Sequence, residues 1–111
     1  MIKIASRWTV VAASLVTVSM TPALCRAATP EALATAAGCS ACHAVDRKLL
    51  GPSYHDIAGK YKGNSKAPTL LAAKVRSGGS GAWGSVPMPA QDARKISDAD
   101  LATVIGWILK Q

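Results

Sequence analysis

Phenylalanine is missing from this 111-residue chain, whose aromatic residues are three tryptophans and two tyrosines. Histidine is nearly missing: a zinc site would want a second ligand pair, and only His43 and His55 are on offer. No segment keeps the two-residue alternation of a half-buried strand for long, which argues against a sheet protein. There is no internal repeat and no low-complexity tail, so neither a solenoid nor a disordered arm is indicated. Acids are few, six against thirteen basic residues, for a formal charge of +7. That excess comes without an aromatic–basic stripe and gives no case for nucleic acid binding. No apolar run reaches the roughly 20 residues that a membrane span needs.

What is present begins with a leader. Lys3 and Arg7 make a positive start, Trp8 to Met20 is an apolar run without charge, and Pro22 and small residues near Ala27 follow. This is the plan of a secretory signal peptide. Cleavage after Ala27 puts Cys25 and Ala27 at the two positions that want small side chains; cutting one residue later would put Arg26 there. An uncleaved anchor is the alternative for the run. A lipoprotein site at Cys25 is disfavoured by Leu24 just before it. The expected division is a cleaved signal peptide over 1–27 and one domain over 28–111. Removing the leader lowers the charge from +7 to +4, leaves Met88 as the only methionine, and leaves two cysteines with no disulfide partner to spare.

Those two cysteines stand in Cys39-Ser40-Ala41-Cys42-His43. C-x-x-C-H is the attachment signal of a c-type haem: both thiols add across the haem vinyl groups and the histidine binds the iron. On a helix the positions i, i+3 and i+4 share one face, so all three groups reach one macrocycle. Met88, forty-five residues beyond His43, offers a soft thioether for the opposite side of the iron, and His/Met ligation raises the reduction potential. A domain of about eighty residues has a marginal core and usually needs a staple. Covalent haem is such a staple, and a core without Phe fits one filled partly by porphyrin.

Helix signals punctuate the rest. Thr29-Pro30-Glu31 reads as a helix opening, with Leu33 and the alanines carrying that helix into Cys39–His43. Gly51-Pro52 breaks the chain. Tyr54, Ile57, Ala58 and Tyr61 form a helical stripe, and Gly63-Asn64-Ser65 a turn. Pro68 opens a third helix with Leu71 and Val75 on one side, ending at Gly78-Gly79. A Gly/Ser/Pro loop with Trp83 leads to Val86-Pro87-Met88-Pro89. Ser97 caps a last helix, Asp100 in the capping-box position, with Leu101, Val104, Ile105 and Ile108 as its stripe. The expected fold is all-α, four or so short helices around one covalently bound haem.

Each site residue has a task. Cys39 and Cys42 hold the porphyrin. His43 needs an acceptor on its second ring nitrogen to fix tautomer and plane, and the Pro52 carbonyl is a candidate because Gly51 lets the chain pass close to the ring. Met88 is stiffened by flanking prolines for presentation to iron. Its competitor, His55, reads better as a surface or hydrogen-bonding histidine. Trp83 either donates its indole N–H to a haem propionate or packs in the loop. Lys74 and Arg76 either meet propionates or face solvent.

Taken in order, Gly38-Cys39-Ser40-Ala41-Cys42-His43, Leu50-Gly51-Pro52-Ser53-Tyr54, Gly81-Ala82-Trp83-Gly84, Val86-Pro87-Met88-Pro89 and Ile105-Gly106-Trp107-Ile108-Leu109 resemble the small class I bacterial cytochromes c. The likeness covers nearly the whole mature chain and is nearest to the periplasmic type that donates electrons to dissimilatory nitrite reductase. It implies that the Pro52 carbonyl accepts from the histidine, that Trp83 contacts a propionate and that Lys74 lies near one. One departure is Gln91, where relatives often carry an asparagine that hydrogen-bonds near the methionine sulfur. The stretch Gln91 to Ile96 is also longer and more charged than in those relatives.

The expectation is a monomeric, soluble periplasmic electron carrier holding one haem c, and not an enzyme. Its expected partners are nitrite reductase, a cytochrome peroxidase, a terminal oxidase, a photosynthetic centre or an upstream quinol-oxidising complex, with no nucleic acid and no membrane span once the leader is cut. Lys48, Lys60, Lys62, Lys66 and Lys74 are candidates to ring the haem edge and steer it to acidic partners. The alternatives are a haem sensor or enzyme with an open iron site and, less well supported, a dithiol redox or metal-binding module. A thioredoxin-like dithiol would sit beside a βαβ pattern, which the chain lacks.

Overall fold

The computed structural model describes residues 22–111. Most of the expected leader, residues 1–21, lies outside the described residues. Positions 22–29 carry no regular structure and are exposed.

Four α-helices follow: α1 (Pro30–Ala36), α2 (Tyr54–Lys60), α3 (Ala67–Ser77) and α4 (Asp98–Ile108), with a 3₁₀ turn at Cys39–Ala41 between the first two. Among the described residues there are two isolated bridge pairs, His43 with Lys48 and Gly79 with Met88, and no strand. At seven residues each, α1 and α2 are too short to persist alone in water. Capping and packing hold them. Thr29 Oγ1 accepts from Ala32 N at 3.2 Å, Ser53 Oγ from Asp56 N at 3.0 Å, and Ser97 Oγ from Asp100 N at 3.1 Å. Each satisfies a first-turn N–H that the helix itself leaves unpaired.

Helix α4 is the hub, packed against α1, α2 and α3. Its Leu101, Val104 and Ile105 are buried with Ala34, Ala37 and Ile96, and Leu33, Cys39, Leu71, Val75 and Ile108 pack against them. The stripe expected for the last helix is the one it buries, with Ile108 at its partly buried edge. No side chain in this cluster exceeds Leu or Ile in size. The small core leaves room for the cavity beside it.

One local expectation is corrected. The first helix does not run into the Cys39–His43 motif: it stops at Ala36, and Gly38 adopts φ 85°, in the left-handed region that ends helices. The motif starts as a 3₁₀ turn, with Cys42 N and His43 N both donating to Cys39 O at 3.1 and 3.0 Å. That single tight turn, rather than a helix face, gathers the three side chains.

Candidate functional site: a cavity with thiol, imidazole and thioether donors

After His43 the chain loops back on itself. Gly51 N donates to Cys42 O at 2.8 Å, Tyr54 N to Ala44 O at 2.9 Å and His55 N to Val45 O at 3.0 Å. This return carries Gly51 and Pro52 alongside the imidazole. His43 Nδ1 lies 2.7 Å from the Pro52 carbonyl, which can only accept, so Nδ1 bears a proton and Nε2 is the nitrogen left to face a metal. Gly51 is required for the approach: a Cβ there would lie 2.6 Å from His43 Cε1. Tyr54, opening α2, stacks on the imidazole with centroids 5.7 Å apart and planes 17° apart, and Trp107 of α4 meets the Tyr54 ring edge-on at 5.2 Å. The ring is thereby fixed in plane, position and tautomer.

The methionine comes from the other side of the fold. Gly79 and Met88 exchange two backbone hydrogen bonds of 2.9 Å and close the base of the loop between them. Gly78 makes this possible. Its φ is 65° and ψ −153°, a region essentially reserved for glycine. A Cβ on it would lie 2.5 Å from Met88 O and 2.7 Å from Ala90 N.

Between these two walls lies a cavity of about 320 Å³. Cys39, Cys42, His43, Met88, Trp83 and Lys74 all line it, as does Pro52. Its floor is the core face of α4, Leu101, Val104, Ile105 and Ile108. The donor set of two thiols, one imidazole nitrogen and one thioether, opening onto an apolar floor, fits a flat macrocycle with a central metal. Two buried polar atoms in its wall, Tyr54 Oη and Gln91 Oε1, have no partner among the described residues.

Other residues fall elsewhere. His55 lies in a separate crevice with Lys62 and Lys110, and does not line the cavity. Of the five lysines expected around the edge, only Lys74 lines the cavity. Lys60 reaches its rim, and Lys62 faces the other crevice. Arg76, weighed for a propionate, is engaged otherwise: Nη1 donates to Gln91 O at 3.1 Å, and Nη2 to Ile96 O at 2.9 Å and Asp98 at 2.5 Å. The Gln91 side-chain N–H donates to Pro89 O at 3.1 Å. Reading the sequence missed two contributors: Tyr54 is there one position in a stripe and Gly78 one half of a helix stop. Lys60 is among the lysines expected at the edge, but its contact with Ala82 O and Trp83 is not.

The thiols bear on the dithiol alternative. Burial pushes the Cys39 thiol up, with the nearby Cys42 adding to the rise. A dithiol oxidoreductase needs the opposite, a thiol made acidic by its surroundings. Among the described residues no three His, Cys, Asp or Glu side chains gather as a metal-binding group.

Comparison with known proteins agrees with the geometry. The cytochrome c family profile matches residues 27–111. The chain is 55% identical over 83 residues to cytochrome c2 of Rubrivivax gelatinosus, covering 75% of this chain and 98% of that protein. It is 48% identical over 79 residues to cytochrome c-552 of Hydrogenobacter thermophilus, covering 71% and 78%. Among solved structures, wild-type Nitrosomonas europaea cytochrome c552 superposes with a TM-score of 0.64 at 45% identity, over 70% of this chain and 94% of that one. With a helical fold closed around thiol, imidazole and thioether donors, the chain belongs to the cytochrome c family, as a small class I monohaem member whose cofactor is one covalently bound haem c.

Proposed function

We propose that this protein is a soluble periplasmic electron carrier, its domain 28–111 freed from a 1–27 leader. It would shuttle single electrons between respiratory partners and catalyse no reaction of its own. The observation that carries this reading is the convergence of Cys39, Cys42, His43 and Met88 on one cavity, with His43 Nδ1 already committed to Pro52 O at 2.7 Å.

In this reading Cys39 and Cys42 would hold the haem covalently, and His43 Nε2 and Met88 Sδ would be the ligands to its iron. When bound, the haem supplies a one-electron ferrous/ferric couple. The protein's part is rigidity. Pro52, Gly51 and Tyr54 hold the imidazole, and the Gly79–Met88 pair holds the thioether, so neither ligand needs to rearrange when the charge changes. With His43 and Met88 both committed to the iron, a substrate would find no position open to it. Lys74 and the Trp83 indole N–H would serve the propionates, in keeping with their places in the cavity wall.

Leu50 and Val86, 62% and 60% exposed, stand on the cavity rim beside the 40%-exposed Trp83. An apolar rim of this kind suits brief contact with a redox partner, while the outlying lysines steer it. Nitrite reductase, a cytochrome peroxidase, a terminal oxidase or a quinol-oxidising complex all fit such a surface.

The test is an optical spectrum of the exported protein, oxidised and reduced, with carbon monoxide added to the reduced form. A low-spin spectrum with the weak far-red iron–thioether band, unmoved by carbon monoxide, is expected. A spectrum that shifts readily with carbon monoxide would mean an accessible iron and would replace the carrier with a sensor or enzyme.

A further inference from the structure

The loop from Gly79 to Met88 is fastened at its base and lightly held beyond it. Two backbone hydrogen bonds close it between Gly79 and Met88, and Gly81 N donates to Gly84 O at 2.8 Å within it. Gly78, Gly79, Gly81 and Gly84 all have positive φ, so side-chain sterics do little to stiffen the path. Trp83 and Val86 are exposed large side chains, and burial contributes little at the tip.

Among the described residues, one side chain from outside hydrogen-bonds to this tip. Lys60 Nζ donates to Ala82 O at 3.0 Å and sits 4.3 Å from the centre of the Trp83 ring. The distance is within cation–π range, and the ammonium joins a backbone acceptor to an aromatic face. Lys60 occupies the last turn of α2, where a cation is also favoured by the helix dipole. The first residue of the same helix, Tyr54, stacks on His43. A single helix of seven residues, about 1.5 Å of rise for each, therefore touches the imidazole at one end and the methionine loop at the other.

We propose that Lys60 is a positioning residue: its ammonium pins the Ala82–Trp83 tip across the cavity mouth and so limits how readily Met88 gives up its place to another ligand. This rests on the reading of Met88 as an iron ligand. Lys60 touches no reacting atom. It acts through the loop, by raising the cost of swinging the tip outward, which any incoming ligand requires. The ammonium matters twice, as donor to Ala82 O and as charge over Trp83, so arginine can substitute and glutamine cannot.

The experiment compares wild type, Lys60→Gln and Lys60→Arg as exported holoproteins. Imidazole is titrated into each ferric protein while the iron–thioether band is followed, and unfolding by guanidinium is measured in parallel. Lys60→Gln is expected to keep the band in the absence of imidazole but to lose it at roughly tenfold lower imidazole, the combined weight of a charged hydrogen bond and a cation–π contact. Lys60→Arg should follow wild type. Guanidinium midpoints should differ too little to account for the change. Equal imidazole affinity in wild type and Lys60→Gln, or a gain matched by an equal loss of global stability, would overturn the proposal while leaving Met88 in place. A wild-type protein without the thioether band would instead overturn the ligand assignment and this proposal with it.

Discussion

His43 Nδ1 and the Pro52 carbonyl oxygen lie 2.7 Å apart, a short hydrogen bond made across nine residues of sequence. Its position follows from backbone return rather than from side-chain choice. Gly51 passes under the ring with no Cβ, and Pro52 brings a carbonyl whose own backbone is restrained at φ. An imidazole that donates from Nδ1 is a more basic and better oriented ligand through Nε2.

Gly51→Ala is therefore expected to move the imidazole. The new Cβ would sit 2.6 Å from His43 Cε1, 3.0 Å from Nδ1 and 3.1 Å from Nε2. Tyr54, stacked on the ring, limits where the imidazole can go. A loss of about 1–3 kcal/mol, typical of overpacking, should appear in guanidinium unfolding. The His43 ring resonances of the holoprotein should shift with it. An unchanged midpoint and unchanged resonances would show that the return loop gives way easily.

Gly78→Ala should be worse, and worse in a different place. Here strain and collision coincide: φ is 65° with ψ −153°, and the Cβ would meet Met88 O at 2.5 Å and Ala90 N at 2.7 Å. Neither neighbour is a flexible side chain. The expected result is loss of the far-red thioether band, through displacement of the Met88 backbone, with a cost of several kcal/mol (about 3 or more). Gly63→Ala is the matched comparison. It has φ 76° with open space around it, and should cost only about 1 kcal/mol and leave the band intact.

Arg76 offers a test of what fastens the segment after the methionine. Its guanidinium donates to the carbonyls of Gln91 and Ile96 and to the Asp98 carboxylate. Asp98 is 91% exposed at the side chain, so its share is that of a surface ion pair. Arg76→Ala should cost about 2 kcal/mol, chiefly through two unpaired carbonyls, and Asp98→Asn less than about 1 kcal/mol. Comparable losses from both changes would reverse that order of importance.

How much of this was readable beforehand varies with the physics. Cap residues and apolar periods are local, so Thr29, Ser97 and the stripe of α4 were legible, as was the family signature in the Cys39–His43 motif. The Pro52 contact was legible because Gly-Pro constrains its own geometry. The break at Gly38 was not, since the alanine-rich run before it favours helix and an isolated glycine does not by itself announce a left-handed turn. The work of Arg76 and Lys60 was hidden for another reason. Their partners are backbone carbonyls 15 to 22 residues away, and a carbonyl has no sequence signature.

Asp92 carries the acid-side prediction. Its carboxylate accepts from the Arg94 and Lys95 backbone N–H groups at 2.9 and 3.2 Å and from the Arg94 guanidinium at 2.7 Å. Hydrogen bonding from Arg94, first through its side chain and then its backbone, holds the carboxyl below the ordinary 3.8. With a depressed folded pKa, the folded state holds this proton more weakly than the unfolded one. The stabilisation is present above the unfolded value and is lost as pH falls through the folded one. NMR titration of Asp92 should give a midpoint below 3.8, and Arg94→Ala should bring it back toward that value. A midpoint at or above 3.8 in the intact protein would show that this turn is not formed in solution.

The last prediction concerns contact between molecules. If electrons pass through the rim formed by Leu50, Trp83 and Val86, two copies of the protein must meet there in self-exchange. Two forces act on that encounter. If the proposed leader is removed with Lys3, Arg7 and Arg26, the polypeptide keeps a formal charge of about +4, so like copies repel and added salt should speed self-exchange. An acidic partner reverses the sign, and salt should slow transfer to it. The apolar rim contributes separately, by burial on contact, and Leu50→Asp would place a carboxylate in it that must be desolvated. Self-exchange measured by NMR line broadening should fall about tenfold in Leu50→Asp, as expected for burying an unpaired charge at a contact. The reduction potential should change only modestly, because Leu50 is 62% exposed and water screens a carboxylate placed there. A rate that rises instead, following the lowered net charge, would place the transfer path away from this rim.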